Sequence, residues 1–263
     1  MTAITKLWLP PAGMSTATLG DPVTAFVTVI NAGAITATGV RIRLDPTTGP
    51  GGGPLPAGLV VQTTDPATNA VTGAPNAAVD IPADGSQSLV IALTPSQALP
   101  PTDVRLNIAG SNSTRSARSV SGVNTLLLSA SSSPTPDVVA LAMTVDGNGI
   151  LQLTGSPLSG AFSVATVNAG AGGTITASAG PGSGGPPLST LICRTDPTTG
   201  QCVSAVAPSV STPMAAGATT TFSIFVSSQV SVPFNPESNR VFVRFTDAGG
   251  VTRGATSVAV RSR

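Results

Sequence analysis

Histidine and tyrosine are missing from this 263-residue sequence, and glutamate occurs once, at Glu237. Without histidine there is no Ser-His-Asp or Cys-His catalytic group, no His-ligated metal and no haem axial histidine. Long helices draw on Glu, Lys, Leu and Arg, so one glutamate also argues against a helical protein. Charge is scarce at 9% of residues, against roughly 25% in an average soluble domain. The 12 basic and 11 acidic side chains nearly cancel, to +1, and aromatics reach only 3%. A nucleic-acid binder wants a basic excess and stacking platforms, and this composition offers neither. No run approaches 18 consecutive apolar residues, so no transmembrane helix is expected. The opening MTAITKLWLPPAGM lacks the basic and apolar regions of a signal peptide. Two readings follow: a mature exported segment with a start Met added, or a protein used without Sec export, as in a virion.

What the sequence has instead is 29 glycines, 24 prolines and 41% hydrophobic residues. The length is a soft prior for about two domains, and an internal repeat makes the division concrete. Residues 49–71, GPGGGPLPAGLVVQTTDPATNAV, align without a gap on 180–202, GPGSGGPPLSTLICRTDPTTGQC, at an offset of 131. Upstream, AFVTVINAGA (25–34) matches AFSVATVNAGA (161–171). Downstream, residues 88–108 correspond to 221–245. Three collinear blocks indicate a duplicated domain, 1–132 and 133–263, with 1–21 as an extension or first strand. The boundary falls in SASSSPTPD (129–137), a Ser/Pro cluster suited to a short, stiff connection.

The periodicity inside each copy is that of strands. Val40, Ile42 and Leu44 alternate with Arg41 and Arg43; Leu89, Ile91 and Leu93 answer Phe222, Ile224 and Val226. Val104, Leu106 and Ile108 answer Val241, Val243 and Phe245. Turn signals such as Asn31-Ala32-Gly33 and Asp84-Gly85 punctuate these runs. The expected fold is all-β: two tandem Ig-like Greek-key β-sandwiches with seven or so strands each.

A strand ending in V-x-N-x-G, here VTVINAG (27–33) and VATVNAG (164–170), resembles bacterial immunoglobulin-like surface repeats of the CARDB type. That resemblance implies spacers and binding modules and adds no catalytic residue. The sequence departs from such repeats in its Gly/Pro insertions at 49–56 and 180–187 and in its few aromatics.

Cys193 and Cys202 flank RTDPTTGQ, a turn between two strands; facing positions on that hairpin would allow a disulfide and favour an oxidising compartment. The first copy has Gln62 and Val71 at those places, so the fold does not require the bridge. The glycine-rich stretches lack the Lys and helix of a phosphate loop. Asp146-Gly147-Asn148-Gly149 and Asp247-Ala248-Gly249-Gly250 read as turns rather than calcium sites, which want several carboxylates. Asp65 and Asp196, each before proline in matched turns, read as turn chemistry rather than a glycosidase pair. Trp8 reads as an anchor for the first strand. Phe225 and Phe242 fall outside the apolar register, which with Trp8 makes a possible contact patch.

No enzyme, cofactor or metal is expected. The expected function is a structural or adhesive protein, extracellular or at the cell surface, self-assembling or bound to another surface protein. The alternatives are a virion decoration or tail protein and a carbohydrate- or protein-binding module of a larger exported protein.

Overall fold

Alternating apolar residues and closely spaced turns give strands throughout. The computed structural model describes residues 4–8, 14–113, 119–182 and 184–262, with backbone alone for 4–8 and 14–16. Among the described residues there is no α-helix, only one 3-10 turn at Pro50–Gly52. The chain divides into two compact units, one holding Ala17–Ser133 and the other Pro134–Arg263.

The sheets of the first unit are formed by β1 (Ile4–Trp8), β2 (Met14–Thr18, of which only Ala17 and Thr18 group with this unit), β3 (Val23–Asn31), β4 (Ala37–Leu44), β5 (Ala57–Thr63) and β6 (Val79–Ile81). The unit continues through β7 (Ser86–Pro95), β8 (Leu99–Val104), β9 (Leu106–Ala109) and β10 (Leu126–Ser131). One sheet runs β1-β3-β7-β5; opposite it lie two three-stranded sheets, β2-β10-β8 and β6-β4-β9. Leu89, Ile91 and Leu93 of β7 meet Val104, Leu106 and Ile108 in a single core. Each such side chain contributes roughly 1.5–3 kcal/mol on burial.

A hydroxyl from far away in sequence splits the β8–β9 run. Thr48 is buried; its hydroxyl donates to the Asp103 carbonyl (3.1 Å) and accepts the Arg105 N–H (2.6 Å). The Arg105 carbonyl takes the Asp45 N–H at 3.0 Å. The chain therefore leaves its partner β10 at Val104 and joins β4 from Leu106 onward. The Thr47 hydroxyl and N–H, with Arg105 beside them, hold the Asp45 carboxyl below the usual carboxylate range. The Asp45–Arg105 ion pair, 3.6 Å apart and exposed, adds no more than about 1 kcal/mol.

The second unit has β11 (Val138–Met143), β12 (Ile150–Leu153), β13 (Leu158–Asn168), β14 (Gly173–Pro181) and β15 (Leu188–Thr195). It ends with β16 (Ser209–Met214), β17 (Thr219–Ser228), β18 (Arg240–Asp247) and β19 (Thr252–Ser262). The sheets are β11-β13-β17-β15 and β12-β19-β18-β14-β16, with β12 parallel to β19. Here β18 is unbroken, and it pairs with both β14 and β19. Phe222 and Phe245, from opposite sheets, pack with ring centroids 5.6 Å apart.

The described strands number ten and nine, more than the seven or so that periodicity suggests. Both units begin with strands that join opposite sheets (β1 and β2, β11 and β12), and Thr48 divides one strand of the first.

One buried asparagine organises each unit. The Asn31 amide donates to the carbonyls of Ile35, Ile81 and Pro82 at 2.9–3.0 Å, and its Oδ1 accepts the Gly33 N–H. The Asn168 amide donates to Ala171, Met214 and Ala215, while its Oδ1 accepts the N–H groups of Gly170 and Asp137. These are the asparagines of the two V-x-N-x-G segments. Each stitches its own turn to a distant strand end whose carbonyls would otherwise be orphaned.

Candidate functional site

The outer face of β11-β13-β17-β15 is built by strand parity. Phe162, Val164, Phe222, Ile224 and Val226 turn into the core, so their neighbours turn out. Register then sets Leu141 beside Ala165 and Thr221, and Ala161 beside Phe225 and Leu191. Val139, Leu141, Met143, Leu191 and Phe225 are exposed by 39–59%, and Val145, just past β11, by 94%. Around Phe225 and Leu191 the small residues Gly160, Ala161 and Ser189 leave a depression of about 390 Å³.

Among the described residues, no charged side chain lies on this face. The one charged residue of its four strands is Arg194, and it donates instead to the Thr212 hydroxyl of β16 at 3.1 Å. The first unit repeats the pattern on β3, β7 and β5, where Phe26 and Val60 are 42% and 41% exposed beside Val90 and Ala92, although β1, the edge strand of that sheet, carries Lys6 in register with Ile30.

A disulfide hairpin borders the face. Cys193, opposite Ser223 in the register, is bonded to Cys202 with their Cα atoms 5.7 Å apart. The turn between them is organised by Asp196, whose Oδ1 accepts the Thr198 and Thr199 N–H groups and the Thr199 hydroxyl. Those backbone donors, Thr199 first, hold its carboxyl below the usual range. Asp65 makes the same bonds to Ala67 and Thr68, with the same downward shift. In the first unit Gln62 replaces the bridge, its amide donating to the Gly73 carbonyl at 2.9 Å. Replacing both cysteines with serine should lower the stability of the second unit by about 2–3 kcal/mol, the worth of a short closed loop. Urea unfolding of the oxidised protein and the variant measures this, and a difference under about 0.5 kcal/mol contradicts it.

Phe225 and Phe242 of the expected patch do not come together. Phe225 is on the face just described. Phe242 belongs to β18, in the opposite sheet, and the Arg244 guanidinium covers its half-buried ring at 5.1 Å. Each turns outward from its own sheet, and the sheets differ, so they point to opposite sides of the unit. Trp8 is the β1 partner of Thr28; its side chain lies outside the described residues. Sequence reading missed Val139, Leu141, Met143 and Leu191. The available signal was the lack of charge in all the exposed positions of four strands.

The aspartates proposed as turn residues act as such. Asp247 accepts the Gly249 and Val251 N–H groups and pairs with Arg253 at 2.7 Å. Burial raises its carboxyl, but Arg253 and the two backbone donors together bring it below the usual range. Among the described residues no three carboxylates, cysteines or histidines cluster to hold a metal, and no helix is long and apolar enough to cross a membrane.

No family model and no curated protein matches this sequence. Among solved structures, a protein of unknown function from Porphyromonas gingivalis W83 is 12% identical over 98% of this chain and 99% of its own, with a TM-score of 0.30. A family 123 glycoside hydrolase from Clostridium perfringens is 10% identical over 45% of this chain and 23% of its own, also at 0.30. The secreted serine protease VesC from Vibrio cholerae is 10% identical over 97% of this chain and 50% of its own, at 0.24. Likeness at this level carries no argument about function.

Proposed function

We propose that this chain is a non-catalytic structural or adhesive protein of the extracellular space or cell surface, assembling with copies of itself through uncharged sheet faces. The observation that carries this reading is the outer face of β11-β13-β17-β15, which has no charge across four strands and sets exposed Val139, Leu141, Met143, Leu191 and Phe225 among serines and threonines. Two such faces meet without like-charge repulsion. Strands about 4.8 Å apart and five residue rows give a footprint of roughly 500 Å², below the ~800 Å² per partner of a standard interface. A single contact is therefore weak. The second face, on the first unit, lets contacts repeat and avidity build.

The units are proposed as tandem Ig-like sandwiches. The spatial order β11-β13-β17-β15 facing β19-β18-β14 matches the A-B-E-D and G-F-C sheets of that fold. One departure is that β15 joins β17 before β16 returns beside β14. The likeness to bacterial surface repeats is supported by the matched roles of Asn31 and Asn168. The disulfide supports an oxidising location.

Sedimentation velocity across a concentration series, with electron microscopy, tests the reading. Association beyond a dimer is expected as concentration rises. A clean 25.7 kDa monomer at the highest concentration would overturn it.

A further inference from the structure

The two units differ where a strand should close the open edge between their sheets. In the second unit Ala207 exchanges backbone hydrogen bonds with Ile192 on β15 (2.8 and 3.0 Å). Seven residues later, Met214 offers its carbonyl to Asn168. The chain between those anchors forms β16, which pairs Ser209–Ser211 with Thr176–Ser178 of β14. In the first unit Asn76 is bonded to Val61 on β5 in the same way, through its N–H and its Oδ1. Ile81 offers its carbonyl to Asn31 only five residues later. The anchors are alike and the span is two residues shorter.

The short span cannot cover the edge of β4. β6 pairs with β4 only at Ala37 and Val40, across a bulge at Gly39, whose φ of +61° suits glycine. Among the described residues, no strand lies on that side of β4 from Arg41 to Arg43. A cleft of about 260 Å³ opens there into the core, walled by Val29, Ile42, Leu59, Val61 and Leu89. Arg41, Arg43 and Asn76 line its mouth, and none of the described residues lining it is a carboxylate. Arg41 donates to the Asn76 carbonyl. The Arg43 side chain is exposed and makes no hydrogen bond or ion pair with another described residue.

We propose that this cleft is a binding site for a small amphiphile with an alkyl tail and one anionic head, of the fatty-carboxylate class. The tail lies against the apolar walls, and the head sits at Arg43 with Arg41 beside it. Apolar walls with a few convergent polar groups are the usual make-up of small-molecule sites, and the volume is near the lower end of their roughly 300–1,000 Å³ range. The guanidinium fork matches a carboxylate in two parallel hydrogen bonds. A peptide strand fits less well, since the open edge spans only three residues, about 10 Å. This assignment is independent of self-assembly.

Titration calorimetry of the full chain with decanoate and decyltrimethylammonium, below their micelle concentrations, and with decanol, below its solubility limit, tests it. Decanoate should bind saturably at one site per chain, and the cationic amphiphile at least tenfold more weakly. Arg43→Ala should weaken decanoate at least tenfold and leave decanol unchanged. Ala77→Trp, at an exposed position on the rim, should block both. Absence of saturable decanoate binding, equal binding of the two charged amphiphiles, or indifference to both substitutions would each overturn the proposal.

Discussion

Replacing Asn168 with alanine is expected to cost the second unit about 3–5 kcal/mol. The side chain has no solvent exposure and satisfies three carbonyls and two N–H groups drawn from three separate segments. Each buried polar group left without a partner costs roughly 1–3 kcal/mol, and water reaching the half-buried carbonyls of Ala171 and Ala215 recovers part of that. Asn31→Ala should cost the first unit a similar amount, since three carbonyls and the Gly33 N–H lose their partner there. Asn168→Asp is the sharper control. It keeps the acceptor, loses both donors and sets a carboxylate against three carbonyl oxygens, so its own pKa must rise. Stability is then lost as pH climbs through that raised value and partly regained in acid, where the protonated oxygen donates again. Urea unfolding by far-UV circular dichroism reports both units, and Trp8 fluorescence reports the first, whose β1 contains it. A loss below 1 kcal/mol for Asn168→Ala would show that the loops hold their positions without the side chain.

Leu141→Lys together with Phe225→Lys should abolish self-association while leaving the fold intact. Both positions point outward from the sheet and are 51% and 39% exposed, so the monomer tolerates a charge there. An interface that closes over them must desolvate two unpaired ammonium groups, at several kcal/mol each. The dissociation constant is expected to rise at least a hundredfold. Phe242→Ser separates this surface from the alternative in which Phe225 and Phe242 form one patch. It removes an aromatic ring from the opposite sheet and should leave association unchanged. If the Phe242 variant dissociates as fully as the double variant, the outer face of β11-β13-β17-β15 is not the contact.

Much of this architecture is written in local chemistry. Period-two alternation fixes which residues of β7, β17 and β18 turn inward, and Leu89, Ile91, Phe222, Ile224, Val241 and Val243 are all buried. An aspartate before proline, followed by hydroxyl residues, builds its own turn at Asp65 and at Asp196 without help from the rest of the chain. Two cysteines on the arms of such a turn need only the hairpin to meet. The role of Asn31 and Asn168 was legible only as a repeated motif, because the strand ends they hold lie about fifty residues away.

By itself, then, the sequence determined strand faces, turns and the exclusion of histidine chemistry, all of which depend on neighbours a few residues apart. The tertiary structure decided which strands share a sheet. Phe225 and Phe242 both fall outside the apolar alternation of their own strands, but one belongs to β17 and the other to β18, and pairing between distant segments sends them to opposite surfaces. Thr48 breaks a strand that begins half a unit further along the chain. The cleft beside Arg43 arises because two anchors, Asn76 on Val61 and Ile81 on Asn31, lie five residues apart where the second unit has seven. A two-residue difference in a loop is unremarkable along the chain. It becomes a cavity only when both ends are tied to fixed strands and the backbone between them cannot span the edge.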